Sequence, residues 1–399
     1  MPFRVALSGL NAASADLNVT ANNIANASTA GFKGSRAQFA DIFAVGAQKI
    51  GNGVRLSNVM QNFGQGGVDL TDRSLDLAIS GEGFFTLNDN GQISYSRVGS
   101  FDVDRNGYVV NGQGQRLQVF APIGNGQFNS GSLSDLRVET TDSPPQATAA
   151  VEFGVNLPAA ADPPAIAVFD PANPASYNHS TALTVYDSLG APHTVTGYFV
   201  RTAANEWDSH FYIDGDAVGG AMPLAYSGFG VLSTPANGQL TLPPHATANG
   251  AEPLALTIDV SQSTQFGSQF GVNMLAQDGY SAGRFSDLDV DANGVLFARF
   301  TNGRAEALGQ VALSSFANVQ GLRQLGDTSW GETFASGDAL RGAPGSASFG
   351  LIQSGALESS NVDLTAQLVN MITAQRNFQA NAQVISTADQ VTQTIINIR

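Results

Sequence analysis

The chain contains no cysteine. Disulfides, thiol nucleophiles and thiolate metal sites are therefore excluded. Lysine is nearly missing too, with Lys33 and Lys49 the only two in 399 residues. Eighteen basic side chains face 33 acidic ones, for a net charge of −15. That balance supplies none of the clustered cations that nucleic acid or an anionic membrane surface requires. No apolar run reaches the roughly 18 residues of a spanning helix, so no membrane insertion is expected. The opening residues 1–18 lack both the basic stretch and the continuous apolar stretch of a secretory leader. Export, if it occurs, is expected to use no cleaved signal peptide. Catalytic signatures are absent as well: there is no G-x-S-x-G, P-loop or H-E-x-x-H motif. The four histidines, His179, His193, His210 and His245, do not fall at helical metal-ligand spacing. The expectation is a non-enzyme with no catalytic residue, cofactor or metal.

What the sequence does contain is concentrated at its two ends. Phe3, Leu10, Leu17 and Ile24 recur every seven residues, as do Leu357, Leu364, Met371, Phe378 and Ile385, with Leu368 beside them. Residues 356–399 hold no Gly and no Pro. Apolar residues at this period form a narrow seam suited to another helix. Residues 2–27 read as one helix, opened by Pro2, whose missing N–H costs nothing in the first turn. Its seam alternates large residues with the small Ala6, Ala13 and Ala27. The remaining faces of both helices are rich in Asn, Gln, Ser and Thr but nearly uncharged, which suits packing against other protein surfaces or a polar bore.

Between the helices the pattern turns to strands. Short alternating runs fill residues 76–121, punctuated by Gly, Asn and Asp. A proline-rich shift begins near Thr141. Inside it Thr181–Tyr186 and His193–Val200 alternate around Asp187-Ser188-Leu189-Gly190, a hairpin signal, and Trp207–Ile213 follows. A second β stretch runs from Leu288 to Phe316. The fold class expected is mainly β with terminal α-helices, in a nested multi-domain layout. Residues 1–27 and 357–399 form the terminal helical part, 28–70 a connecting segment, 71–144 plus 281–356 an inner β domain, and 145–280 an inserted outer β domain. Gly-rich joints at Gly64–Gly67 and Gly342–Gly350 are expected to let the domains shift.

An internal echo links the two halves of the inner domain: FDVDRNGYVV at 101–110 and LDVDANGVLF at 288–297. Each contains D-x-D-x-N-G, which also opens an EF-hand calcium loop. Position twelve, where that loop needs a bidentate Glu, is Gln113 or Phe300. Asn-Gly between alternating runs predicts a type I′ hairpin turn instead.

The ends carry a resemblance. Ser8-Gly9-Leu10-Asn11-Ala12-Ala13, then Asn22, Asn23 and Asn26 of NNIAN, and Gly31-Phe32-Lys33 resemble the N-terminal signature of the bacterial flagellar rod and hook axial-protein family. Leu75–Ile79 with Gly83-Phe84-Phe85 resembles its next block. Ser354–Glu358, Ser360–Asp363 and the run Gln375, Arg376, Phe378, Ala380, Asn381 resemble its C-terminal signature. The long middle insertion, the Tyr186–Gly190 hairpin and Gln310–Leu313 are similar to the hook branch rather than the shorter rod branch.

The resemblance implies a homopolymer: a flexible hollow tube that joins rod to filament, bends, and transmits torque. Terminal helices would form a coiled inner tube and β domains its outer layers. Implied partners are other copies of the chain, the distal rod protein, the hook cap protein, the hook–filament junction protein and the flagellar type III export apparatus. The implied location is extracellular, in the flagellum. Each subunit is expected to be disordered at both ends until it joins. The rival readings are a distal rod protein and a secreted β-rich adhesin trimerised by its helices.

Overall fold

Pro2–Ala25 forms helix α1 and Leu364–Asn397 forms helix α2. The computed structural model describes residues 2–42, 51–124, 126–139, 141–346 and 348–397. Helix α1 ends two residues earlier than the sequence predicts, in a turn over residues 26–28. There the Asn26 side chain donates to the Asn22 carbonyl at 3.0 Å and accepts from the Thr29 hydroxyl at 3.2 Å. An Asx side chain that bonds local backbone in this way offers the chain an alternative to another helical turn.

Strands Ser35–Asp41 (β1) and Val54–Gln61 (β2) pair antiparallel as a two-stranded ribbon. The expected connecting segment is thus a structured element. Lys49 and the rest of 43–50 lie outside the described residues. The ribbon is bound to α1 near both ends. The Ser35 amide donates to the Asn23 side chain at 2.8 Å, and the Val54 amide donates to the Ser8 hydroxyl at 3.2 Å.

The chain divides into two units: residues 1–140, 287–299 and 305–399, and residues 141–286 with 300–304. In the first, a thirteen-stranded sheet runs, among the described residues, from Phe285–Val290 through Val295–Phe300, Ala305–Val311, Arg116–Phe120 and Phe84–Asp89 to Gln92–Ser96 and beyond. Segments nearly 200 residues apart meet there, as in the pairing of Gln310 with Phe120. Phe84, Tyr95, Phe316 and Trp330 form an aromatic cluster on this unit, with Tyr95 and Phe316 edge to face at 4.7 Å.

The second unit packs a four-stranded sheet (central strand Ala150–Asn156) and a six-stranded sheet (His179–Tyr186, Pro192–Ala203, Glu206–Ile213 and shorter strands) around one core. Alternation along Glu206–Ile213 buries Trp207, Ser209, Phe211 and Ile213. Phe211 meets Phe153 edge to face at 5.8 Å. The predicted hairpin around Asp187–Gly190 forms, with Leu183 opposite Val195.

The echoed motifs build matching turns, but not of type I′. Only the glycines, Gly107 (φ 85°) and Gly294 (φ 72°), have positive φ, whereas type I′ needs it at both central residues. Each Gly amide instead bonds back to the carbonyl of Asp104 or Asp291, at 3.0 and 2.9 Å, with the glycine in the left-handed region. The Asp side chains select this form. Asp104 accepts from the Asn106 and Tyr108 amides, and Asp291 from the Val295 amide, each at 2.8 Å. The other carboxylates of the pattern are occupied by arginines, Asp102 by Arg73 and Asp289 by Arg299. Millimolar calcium should therefore leave the thermal midpoint of the protein unchanged. Asp291→Ala should cost about 1 kcal/mol, the worth of one turn-capping hydrogen bond, read from a chemical denaturation curve.

Candidate functional site

The two terminal helices pack on each other in antiparallel fashion. The Asn23 amide donates to the Gln367 side chain at 3.3 Å, and Gly9 lies directly against the Asn381 side chain. The same fourteen-residue step separates the two contacts on each helix, residues 9 to 23 and 367 to 381, so the register holds over about 20 Å. A Cβ at Gly9 would come within 2.5 Å of Asn381 Oδ1, so a larger residue there would displace the Asn381 side chain.

The α1 side chains buried most deeply are Ala6, Ala13, Thr20 and Asn23, and on α2 Ala374. Small residues let two backbones come close, and they take the centre of the seam. The large residues named from the heptads flank it. Leu10, Leu17, Ile24, Met371, Phe378 and Ile385 are half-buried. Phe3, Leu364 and Leu368 remain 41%, 47% and 51% exposed in the single chain. Helix α2 has 34 residues against 24 for α1, so its last turns run past the start of α1.

Leu357 is a correction. It lies on a strand, Ala356–Glu358, paired with Val68–Leu70 so that Asp69 faces Leu357, and not on the helix. The helix begins seven residues later because Asp363 caps it, accepting from the Thr365 and Ala366 amides at 2.8 and 3.1 Å. Absence of Gly and Pro permits a helix but does not start one.

At the base of the helix pair sits a buried ionic joint. Lys33 Nζ lies 2.6 Å from Glu358 Oε1, and Arg97 Nη1 lies 3.3 Å from Glu358 Oε2. All three side chains are at most 3% exposed. Every element around the helix bases contributes. Lys33 also donates to the Gly64 carbonyl at 2.9 Å, Arg97 to the Gly81 carbonyl at 3.0 Å, and the Gly66 amide to Glu358 Oε1 at 2.8 Å. Burial pulls the Lys33 ammonium below its ordinary pKa, and the bond to Glu358 opposes that pull. Beside the joint, Asn361 accepts from the Gly34 amide and donates to the Asn62 and Gly64 carbonyls.

Gly64–Gly67 is therefore a clamped segment rather than a loose joint. A Cβ at Gly66 would stand 2.0 Å from the Ser359 carbonyl oxygen. Gly342–Gly350 falls partly outside the described residues, because position 347 does.

The family-motif residues divide by place. Asn23, Asn26, Gly31, Phe32 and Lys33 sit where α1 hands over to the ribbon. The Asn23 side chain there spans Ser35 and Gln367, and the Gly31 amide donates to the Glu358 carbonyl at 2.7 Å. Asn381 sits on the helix seam, and its Nδ2 bonds the Asn377 carbonyl. Asn22, Gln375 and Arg376 are exposed. Sequence reading missed the Lys33–Glu358–Arg97 set. A signal was present: one of only two lysines stands among small and aromatic residues in Gly31–Gly34, and Glu358 stands beside Ala356-Leu357. Lone charges in such surroundings need a buried partner.

Family models match along most of the chain. The flagella basal body rod protein model covers residues 3–33, the flagellar hook protein FlgE/F/G D1 domain residues 78–162, the flagellar basal body protein FlaE D2 domain residues 156–280, and the flagellar basal body rod FlgEFG protein C-terminal model residues 353–398. The chain is 38% identical, over 410 residues and the whole of both chains, to flagellar hook protein FlgE of Salmonella typhimurium. The chain belongs to the flagellar hook protein family. FlgE of Escherichia coli K12 is also 38% identical over the whole of both chains, and that of Borreliella burgdorferi is 31% identical over 98% of each. The crystal structure of Helicobacter pylori FlgE2 superposes with a TM-score of 0.58 at 15% identity, covering 73% of this chain and all of that one, which shows the shared fold.

The protein is a structural subunit of the bacterial flagellar hook, in a family of structural rather than enzymatic proteins. These full-length matches favour the hook over the rod and adhesin readings. Among the described residues no helix is long and apolar enough to cross a membrane, and no cluster of His, Asp and Glu is arranged to hold a metal.

Glu358→Gln should strand two buried cations at once, and Lys33→Met leaves Glu358 still paired with Arg97. The first should destabilise the helix–ribbon base by about 3–5 kcal/mol, and the second by clearly less. Hydrogen exchange at α1 and the ribbon, compared between the two variants, checks this order.

Proposed function

We propose that the subunit polymerises through its helix pair, with Phe3, Leu10, Leu17, Ile24, Leu364, Leu368, Met371, Phe378 and Ile385 holding an inner tube and the β units forming its outer layers. The observation that carries this reading is the half-finished burial of the helix pair. Small residues fill its internal seam, and Leu7, Leu364, Leu368 and Ile372 stay about half exposed on its flanks. Full burial of such a side chain is worth about 1.5–3 kcal/mol. Covering the exposed halves of several in neighbouring copies therefore gives cohesion enough to offset the ordering of the helices. Leu357, on its strand, takes no part in this seam.

The finer parts of the role follow from the same reading. Torque passes from the helix pair to the outer units through the ionic joint. Residues 145–280 tune bending through weak contacts between copies, since no Lys side chain is available there for strong ion pairs. At its ends the tube meets the distal rod protein and the hook–filament junction protein. It grows under the hook cap protein, fed by the type III export apparatus. These partners rest on the family resemblance.

Leu364→Asp should abolish polymerisation and leave the β-sheet circular dichroism unchanged. Tubes of ordinary stiffness from this variant, seen by electron microscopy, would remove Leu364 from the interface. Deletion of 145–280 should leave tubes that assemble but bend abnormally, and loss of assembly would make that block a structural requirement. A null mutant that loses the distal rod, rather than the hook alone, would favour the rod reading.

A further inference from the structure

We propose that His193 and the carboxylates of Asp187 and Asp214 form a pH-operated latch that ties together three turns at one end of the six-stranded sheet. This reading concerns the second unit alone and does not depend on the assembly interface proposed above.

The geometry is specific. His193 Nδ1 lies 2.6 Å from Asp214 Oδ2, and His193 Nε2 lies 3.2 Å from Asp187 Oδ2. Both ring nitrogens thus face carboxylate oxygens, which only accept. A neutral imidazole has one N–H and would turn a lone pair toward one of the two carboxylates. Only the imidazolium satisfies both contacts.

The two carboxylates are themselves fixed. The Asp187 side chain is sealed from solvent and accepts from the Leu189 and Ala191 amides, at 2.9 and 2.8 Å, and from the Asn249 side chain. Asp214 accepts from the Thr194 amide at 2.8 Å and sits in a tight turn with φ 52°. The Glu252 amide donates to the Ser188 hydroxyl, which closes the loop 249–252 onto the same turn. His193 therefore joins the Asp187–Gly190 turn, the Asp214–Gly215 turn and the 249–252 loop. The charged groups around it are Asp187 and Asp214 in contact, His245 acting on Asp214, and Asp216 and Glu252 on the joined segments.

Burial by itself lowers the basicity of His193, but its hydrogen bonds to Asp214 and Asp187 outweigh it and hold the ring above its ordinary value of 6.5. Asp187 is kept ionised in the same way. Burial opposes its charge, yet the bonds from Asn249, the Ala191 amide, His193 and the Leu189 amide bring it to about 2. A folded-state pKa raised above the unfolded one adds stability that is complete below about 6.5 and is lost as pH rises through the folded value. The latch is closed below the His193 midpoint and opens as pH rises through it.

Four histidines make the test direct on the full chain. In a proton NMR titration the His193 Cε1–H resonance, assigned by its loss in His193→Gln, should show a midpoint above 6.5, and Asp214→Asn should lower that midpoint. Hydrogen exchange in residues 187–194, 213–217 and 248–252, corrected for the intrinsic rate, should rise between pH 6.5 and the midpoint, by up to about tenfold per pH unit, and level off above it. In His193→Gln the same segments should exchange independently of pH. A His193 midpoint at or below 6.5, or a pH profile of exchange unchanged in His193→Gln, would overturn the latch. Should the Gln variant not fold, the titration of wild type against Asp214→Asn decides alone.

Discussion

One carboxylate, that of Glu358, holds the two ends of the chain to each other. It faces the ammonium of Lys33, 325 residues earlier, and the guanidinium of Arg97. None of the three can reach water. Each alone would carry the desolvation cost of a buried charge, so the three are stable only as a set. Lys33 and Arg97 each also donate to a main-chain carbonyl, at Gly64 and Gly81. The exit of α1, the ribbon, the glycine segment and the strand leading to α2 are therefore fixed against one another by one group of charges.

That fixation decides the register of the helices. The Asn23 and Asn361 side chains continue the joint outward, Asn23 into Ser35 and Gln367, and Asn361 into Gly34, Asn62 and Gly64. With the bases of both helices held, the first turn of α2 is placed opposite the last turns of α1. The remainder of the seam follows residue by residue up to Gly9 and Asn381. A slip of one heptad would move Gly9 away from Asn381 and bring a residue with a Cβ to that point. Amides and a glycine set this alignment, because hydrophobic side chains at a constant seven-residue period tolerate slips that hydrogen bonds and close contacts do not.

How far all this can be read from the sequence depends on the range of the interaction. Heptads, alternating runs and the 187–190 hairpin are local, and their elements are visible in order along the chain. The echoed D-x-D-x-N-G turns were legible as turns, but their subtype was not. Asn-Gly allows two geometries, and the capping carboxylates of Asp104 and Asp291 choose between them. The start of α2 was misplaced because the heptad carrying Leu357 continues smoothly into a strand. What ends it is pairing with Val68–Leu70, a partner nearly 290 residues away. The ionic joint was not found at all. Its partners lie in three distant segments, and pattern analysis treats Lys33, Arg97 and Glu358 as isolated charges.

The distribution of residue size along the helix seam links the fold to the polymer. A helix pair that completed its own core would place its largest side chains between the helices. Here Ala6, Gly9, Ala13 and Ala374 occupy that space, and the closer approach they allow turns the large residues outward. The single chain thus has a well-defined helix alignment, set by glycine and amides, and an incomplete hydrophobic burial. Those two properties suit a subunit whose helix alignment is specified by its own residues and whose cohesion comes from its neighbours. The same division separates the roles of charge and apolar surface. Charge is sealed inside the joint, where a fixed geometry lets it specify position, and apolar surface is left on the flanks, where non-directional attraction tolerates the small displacements that bending requires.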